Sequence, residues 1–135
     1  MIVADTDVLI DFLADREPSA GRVAIELTSP SFCTTAVTRF ELLAGARDTT
    51  AEGLVRRLLD SLSTLTLDQE SADRAAAVRR RLESRGEGIG MADSLIAGIV
   101  LVHDGMLLTR NRRHFERVEG LTLATLSSEV PQAEE

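Results

Sequence analysis

Short β-like runs alternate with longer helical ones along this chain, and that alternation constrains the fold more than any other feature. It is the pattern of a parallel sheet covered by helices. Residues 2–4 read as a first strand and residues 6–13 as a helix opening directly off it. A second helical stretch covers 19–27, and a second strand 31–34. Thr35 is placed to cap a helix that carries Val37, Phe40, Leu43 and Ala44 on one side and stops near Gly45. An amphipathic helix over 54–62 leads to a third strand at 65–67; Asp68 then suits the N-cap of a helix over 69–85, ended by Gly86. The most apolar helix spans 91–103 and is closed by Gly105, followed by a fourth strand at 106–108, a short helix at 111–117 and a last strand at 121–123. The expectation is an α/β three-layer fold with a central parallel sheet of four to five strands flanked by helices.

A length of 135 residues suits one domain, and a 44% hydrophobic composition supplies its core. The domain is expected over 1–127, with a frayed polar tail at 128–135. The N-terminus reads as lacking a signal peptide, and the apolar run at 95–102 is far below the roughly 20 residues that cross a bilayer. A soluble, cytoplasmic protein without a membrane partner is expected. Cys33 is the only cysteine, which excludes an internal disulfide and a thiolate cluster and leaves it a core role.

The net charge of −7 argues against a protein that coats nucleic acid, so an RNA substrate would need a local offset. All 15 basic residues are arginine. The absence of lysine removes the phosphate-loop motif, Schiff-base chemistry and a receiver-domain site. Without Trp or Tyr there is also little aromatic platform for stacking bases.

Three acids then stand out. Asp5 ends the first strand, where parallel α/β sheets gather reactive groups, although it is equally placed to cap the next helix. Glu41 has Val37, Thr38, Ala44 and Gly45 as helical neighbours, so it points toward the protein and needs a partner, either an arginine or a metal. Asp93 repeats the pattern among Ile89, Gly90, Ile96 and Ala97, with support of its helix N-terminus as the other reading. Converging carboxylates repel, and a hard divalent cation is the usual remedy. With no His or Cys set beside them, Mg²⁺ or Mn²⁺ is favoured over Zn²⁺, and such a site suits phosphodiester hydrolysis.

These residues resemble the PIN-domain nucleases, and among them the VapC-type toxins. VADTDVLIDFL is similar to the family's first strand and helix, with Asp5 as first metal-binding acid. TTAVTRFELLAG is similar to the helix of the catalytic Glu, here Glu41, and IGMADSLIAG to the helix of the third acid, here Asp93. LLTRNRRHFERVEGLTL resembles the closing strand, turn and strand, including Thr109 and Phe115. The chain departs from the family at Asp7, often Asn or Ser, and at Asn111, often a fourth Asp. Asp5, Glu41, Asp93 and Asn111 are thus the expected metal set, with Asp7 as an alternative fourth ligand, and Asp5, Glu41 and Asp93 the expected catalytic residues. The resemblance implies an RNA substrate of the tRNA or rRNA kind, a homodimer and a cognate antitoxin.

Thr6, Thr109, Arg110, Arg112 and Arg113 are the candidates for holding substrate, the arginines by binding phosphates or else forming a solvated turn. Arg79, Arg80 and Arg81 point in different directions and read as a solvated face or dimer contact. His103 reads as a helix C-terminal histidine. The competing function is a non-catalytic PIN-like domain that binds RNA or protein, with Asn111 marking a weakened metal site. A flap nuclease is disfavoured because the chain has no room for duplex-gripping helices.

Overall fold

A computed structural model describes residues 1–127, and the tail expected at 128–135 lies outside the described residues. The elements run β1 (Ile2–Ala4), α1 (Thr6–Leu13), α2 (Ser19–Glu26), β2 (Cys33–Thr35), α3 (Ala36–Gly45), α4 (Thr49–Asp60), β3 (Ser63–Leu65), α5 (Gln69–Ser84), α6 (Met91–Val102), β4 (Met106–Leu108), α7 (Arg112–Phe115) and β5 (Thr122–Leu123). All strand pairings are parallel, in the order β3-β2-β1-β4-β5. This is the α/β sheet expected from the alternation.

Alternation of side chains along each strand divides the core into two layers. Val3, Cys33 and Leu107 face one way and pack with Leu82, Ile96, Val100 and Phe115 of α5, α6 and α7. Ala4, Phe32 and Leu108 face the other way and pack with Val8, Val23, Leu42 and Leu59 of α1 to α4. Both faces are covered, as parallel sheets require. Cys33 is a buried free thiol within this packing, as its sequence setting implied. Among the described residues no helix is long and apolar enough to cross a membrane.

The expected caps form: the Thr35 hydroxyl accepts from the Thr38 amide at 3.1 Å and the Asp68 carboxylate from that of Ser71 at 2.9 Å. Other boundaries move. α4 opens at Thr49 rather than at residue 54, because Asp48 caps it through the Ala51 amide at 2.8 Å before the apolar spacing begins. β2 and β3 lie at 33–35 and 63–65 rather than 31–34 and 65–67, since register pairs Thr34 with Thr64 and Thr35 with Leu65. Their threonines are polar by composition yet placed in the sheet; the buried Thr34 hydroxyl donates to Ala4 O at 2.7 Å. α7 ends at Phe115, short of residue 117. His103 closes α6 as expected, its Nδ1 2.9 Å from Ile99 O.

α5 and α6 pack tightly at Gly98, where a Cβ would stand 2.6 Å from Ser71 O and 2.7 Å from Ala75 N. Both are backbone atoms that cannot swing aside, so only glycine permits this spacing. Gly98→Ala is therefore expected to destabilise the protein by about 1–3 kcal/mol. Gly53→Ala, within α4 and with open space at its Cβ, should instead be neutral or stabilising by up to about 1 kcal/mol. Urea unfolding of both variants checks this, and equal effects would remove the packing argument.

Candidate active site

The strand order makes β1 the point from which the sheet extends in both directions, with β2 on one side and β4 on the other. Parallel sheets open a crevice at the carboxyl ends of their strands at such a reversal. Asp5 follows β1 and Thr109 follows β4, so both stand at its mouth. Main chain and side chain tie them together. The Asp5 amide donates to Leu108 O at 2.9 Å, and the Thr109 hydroxyl donates to Asp5 Oδ2 at 2.7 Å. Asp5 Oδ1 accepts from the Thr6 amide at 2.8 Å, so the capping role foreseen for Asp5 is realised without removing it from the crevice.

Asp5 is only 5% exposed. Burial, then the neighbouring Asp7 carboxylate and to a smaller degree Asp93, push its pKa up to about 7, against the opposing pull of the Thr109 and Thr6 hydrogen bonds. Burial also raises Asp7, whose Oδ2 accepts from the Arg110 amide at 3.0 Å. Asp7 Oδ1 is buried with no hydrogen-bond partner among the described residues.

The other expected acids approach from two sides. Asp93 lies in the first turn of α6, half-buried, with its Oδ2 3.3 Å from His114 Nδ1 and 3.5 Å from Asn111 Nδ2. Asn111 Nδ2 is 2.9 Å from His114 Nδ1, and the Asn111 side chain makes no cap hydrogen bond to α7. Glu41 is half-buried on α3 rather than fully enclosed. Its Oε1 accepts the Thr6 hydroxyl at 2.7 Å, and Thr6 Oγ1 is 3.0 Å from the buried Thr38 hydroxyl. No arginine pairs with Glu41 among the described residues, so the ion-pair explanation for this acid gives way to a hydroxyl contact. The charges of Asp7 and Asp93 thus both act on Asp5, while Glu41 is joined to it through Thr6.

The expected substrate contacts divide. Thr109 is fully buried and donates to Asp5, while its oxygen accepts the Asn111 amide at 3.0 Å, so it holds the turn rather than facing a ligand. The Thr6 hydroxyl is likewise engaged, with Glu41. Arg110 pairs with the buried Asp11 at 2.7 Å, and Arg112 donates to Ala124 O at 2.9 Å. Arg113 is exposed and makes no ion pair among the described residues. Sequence reading did not single out Asp11, Thr38 or His114. Asp11 had a signal, since it follows Asp7 by one helical turn. Thr38 and His114 had none, because their roles arise only when α3 and α7 meet the crevice.

The donor set is entirely oxygen apart from His114, and it holds an orphaned buried oxygen and an acid strained by like charge. A hard divalent cation answers both demands. Among the described residues, no three His, Cys, Asp or Glu side chains already stand close enough to form a complete metal cage. The residues fit a cation held by few carboxylates, with its remaining positions open.

The sequence matches the PIN domain family over residues 2–121. It is 34% identical over 117 residues to ribonuclease VapC19 of Mycobacterium tuberculosis, covering 85% of this chain and 92% of that protein. It is 30% identical over 125 residues to the tRNA(fMet)-specific endonuclease VapC of Shigella flexneri, covering 87% and 91%. Among solved structures, DNA-bound VapBC from Salmonella typhimurium shares the fold with a TM-score of 0.79 at 24% identity, over 93% of this chain and 98% of that one.

The state of Asp5 gives a stability test. Its folded pKa of about 7 lies above the ordinary carboxyl value of 3.8, so the folded protein binds the proton more tightly than the unfolded chain does. The stabilising contribution is complete below the lower value and is lost as pH rises toward 7, amounting to a few kcal/mol at roughly 1.4 kcal/mol per pKa unit. In EDTA, melting temperature should fall less across this window for Asp5→Asn than for the parent, and the variant should be the more stable at pH 8. Parallel pH profiles would contradict the burial argument.

Proposed function

The chain belongs to the PIN domain family, and on that premise we propose that it is a metal-dependent endoribonuclease, the toxin of a toxin–antitoxin pair. The observation that carries the reading is the crevice itself: buried Asp5 held under like charge from Asp7 and Asp93, beside an unpartnered Asp7 oxygen. Relatives that share most of their length with the chain are named a tRNA(fMet)-specific endonuclease and a ribonuclease, and PIN-domain VapC nucleases are generally dependent on a divalent metal. Here magnesium is the proposed ion, with manganese as a substitute. Asp5 and Asp93 are the proposed holders, with Glu41 as the third acid and Asn111 or Asp7 at the margin. A divalent cation bound among them supplies Lewis acidity toward the phosphodiester and neutralises developing charge.

The protein's own part is to hold these groups still. Thr109 and the Thr6 amide fix both Asp5 oxygens. The Thr6 hydroxyl fixes Glu41, leaving its other oxygen available to orient a water. Asn111 and His114 approach Asp93 from the α7 side. Arg113 is the side chain best placed to meet a substrate phosphate, because Arg110 and Arg112 are engaged elsewhere. The substrate is proposed to be a tRNA or rRNA, the working form a homodimer, the location the cytoplasm, and the inhibitor a cognate antitoxin.

Cleavage of total RNA by the purified protein should require Mg²⁺ or Mn²⁺ and stop with EDTA. Asp5→Asn, Glu41→Gln and Asp93→Asn should each lower the rate by about two or more orders of magnitude while retaining the fold by circular dichroism. Chelator-resistant cleavage overturns the mechanism, and a folded protein inert toward RNA with either ion supports the non-catalytic reading. Asn111→Asp adds a carboxylate beside Asp93 and should lower the Mg²⁺ concentration giving half-maximal cleavage; an unchanged midpoint would remove Asn111 from the site.

A further inference from the structure

The acidic crevice leaves a second feature of the molecule unexplained. A groove of about 360 Å³ opens between α5, the end of α6 and the segment after α7. Its lining includes apolar side chains, Leu101 and Val118 among them, and four arginines: Arg74, Arg81, Arg85 and Arg117. Arg74 and Arg81, seven residues apart, share one stripe of α5, and Arg85 follows four residues later as its C-cap. Glu119 is the only acid of the lining. It binds Arg81 at 2.7 Å, and Arg85 donates to Arg117 O at 3.2 Å. Arg74, Arg85 and Arg117 form no ion pair among the described residues. Four of 15 arginines thus gather in one groove of a chain whose net charge is −7.

We infer that this groove is a second RNA-binding site, which holds the phosphodiester backbone of the substrate outside the cleavage crevice. The inference rests on the ribonuclease reading. An acidic chain must meet RNA phosphates somewhere, and at the crevice two of the three nearby arginines are already engaged. Guanidinium groups bind phosphate in paired hydrogen bonds and stack on bases, which matters in a chain with no Trp or Tyr. The apolar floor offers the bases a surface, while the rim meets the backbone. The groove is also within reach of a bound strand. Leu101 follows Asp93 by eight residues on α6, a rise of about 12 Å along the helix, so an RNA of several nucleotides cut at one end of α6 extends toward the other.

The test compares the parent with Arg74→Gln/Arg85→Gln/Arg117→Gln, which leaves the Arg81–Glu119 pair intact. Arg57→Gln/Arg79→Gln/Arg80→Gln is the control, removing the same charge from outside the groove. Binding to bulk tRNA is measured in EDTA over a range of salt, cleavage of total RNA with Mg²⁺, and oligomeric state by light scattering. The groove variant should bind tRNA roughly tenfold or more weakly, with its salt slope reduced by roughly 2 to 3. The control should stay near the parent, and kcat on an oligonucleotide spanning one cleavage site should be unchanged in both. If the parent cuts RNA and the groove variant binds tRNA as tightly as the parent, the groove is no RNA site although the ribonuclease reading stands. Equal losses in the control assign the effect to net charge, and a changed oligomeric state assigns the groove to contact between copies; either overturns the inference. A parent that neither cuts nor binds RNA removes the ribonuclease reading and this site with it.

Discussion

The hydrogen bond from the Thr109 hydroxyl to Asp5 Oδ2 spans the point where the sheet reverses its order, and much of the molecule serves to keep it there. Its donor follows β4 and its acceptor follows β1, so it forms only if those strands pair in the observed register, with Ala4 opposite Leu108. That register depends in turn on apolar layers packed on both faces. A carboxylate buried to this degree opposes folding unless its oxygens are met. Thr6 and Thr109 meet them, yet the neighbouring acids keep the group at the edge of protonation. The core therefore stabilises a site that is electrostatically unfavourable in itself, which is the arrangement expected where a cation belongs.

Much of this was legible in the chain. Parallel strands interleaved with helices follow from hydropathy spacing, and the caps at Thr35 and Asp68 follow from their chemistry and position. What the pattern concealed has a common cause. β2 and β3 carry threonine and serine where hydropathy looks for valine or isoleucine, so their limits depend on pairing with a neighbour. Asp48 caps α4 ahead of its first periodic apolar residue, and the eye places the start too late. At the site, the acids at 5, 41 and 93 could be chosen from their surroundings on their own elements. The involvement of Asp11 with Arg110, of Thr38 with Thr6 and of His114 with Asp93 joins elements remote in sequence, and no local pattern records it.

The charge of the chain acquires a physical sense once its arginines are located. Arg56 and Arg79 lie in exposed pairs along their own helices, where such pairs contribute little to stability, whereas Arg22 is largely buried, pairs with Glu26 and donates to Thr125 O at 2.8 Å. Arg110 has a different task, since its partner Asp11 is buried and its amide also serves Asp7. A substitution there removes the nearer ion-pair partner of Asp11 and the charge that pulls the Asp7 pKa down, while the amide contact to Asp7 persists. Arg74, Arg85 and Arg117, in and beside α5, form no ion pair among the described residues, and neither does Arg113 at the crevice.

The sheet that positions the site also limits how the molecule can meet others. Its outer strands, β3 and β5, have three and two residues, so each border offers only a few free backbone amides and carbonyls. Such brief borders resist edge-to-edge growth and give an incoming chain too short a template for adding a strand. Recognition by main-chain zippering is thereby set aside, and discrimination among partners falls to side chains on helices and turns.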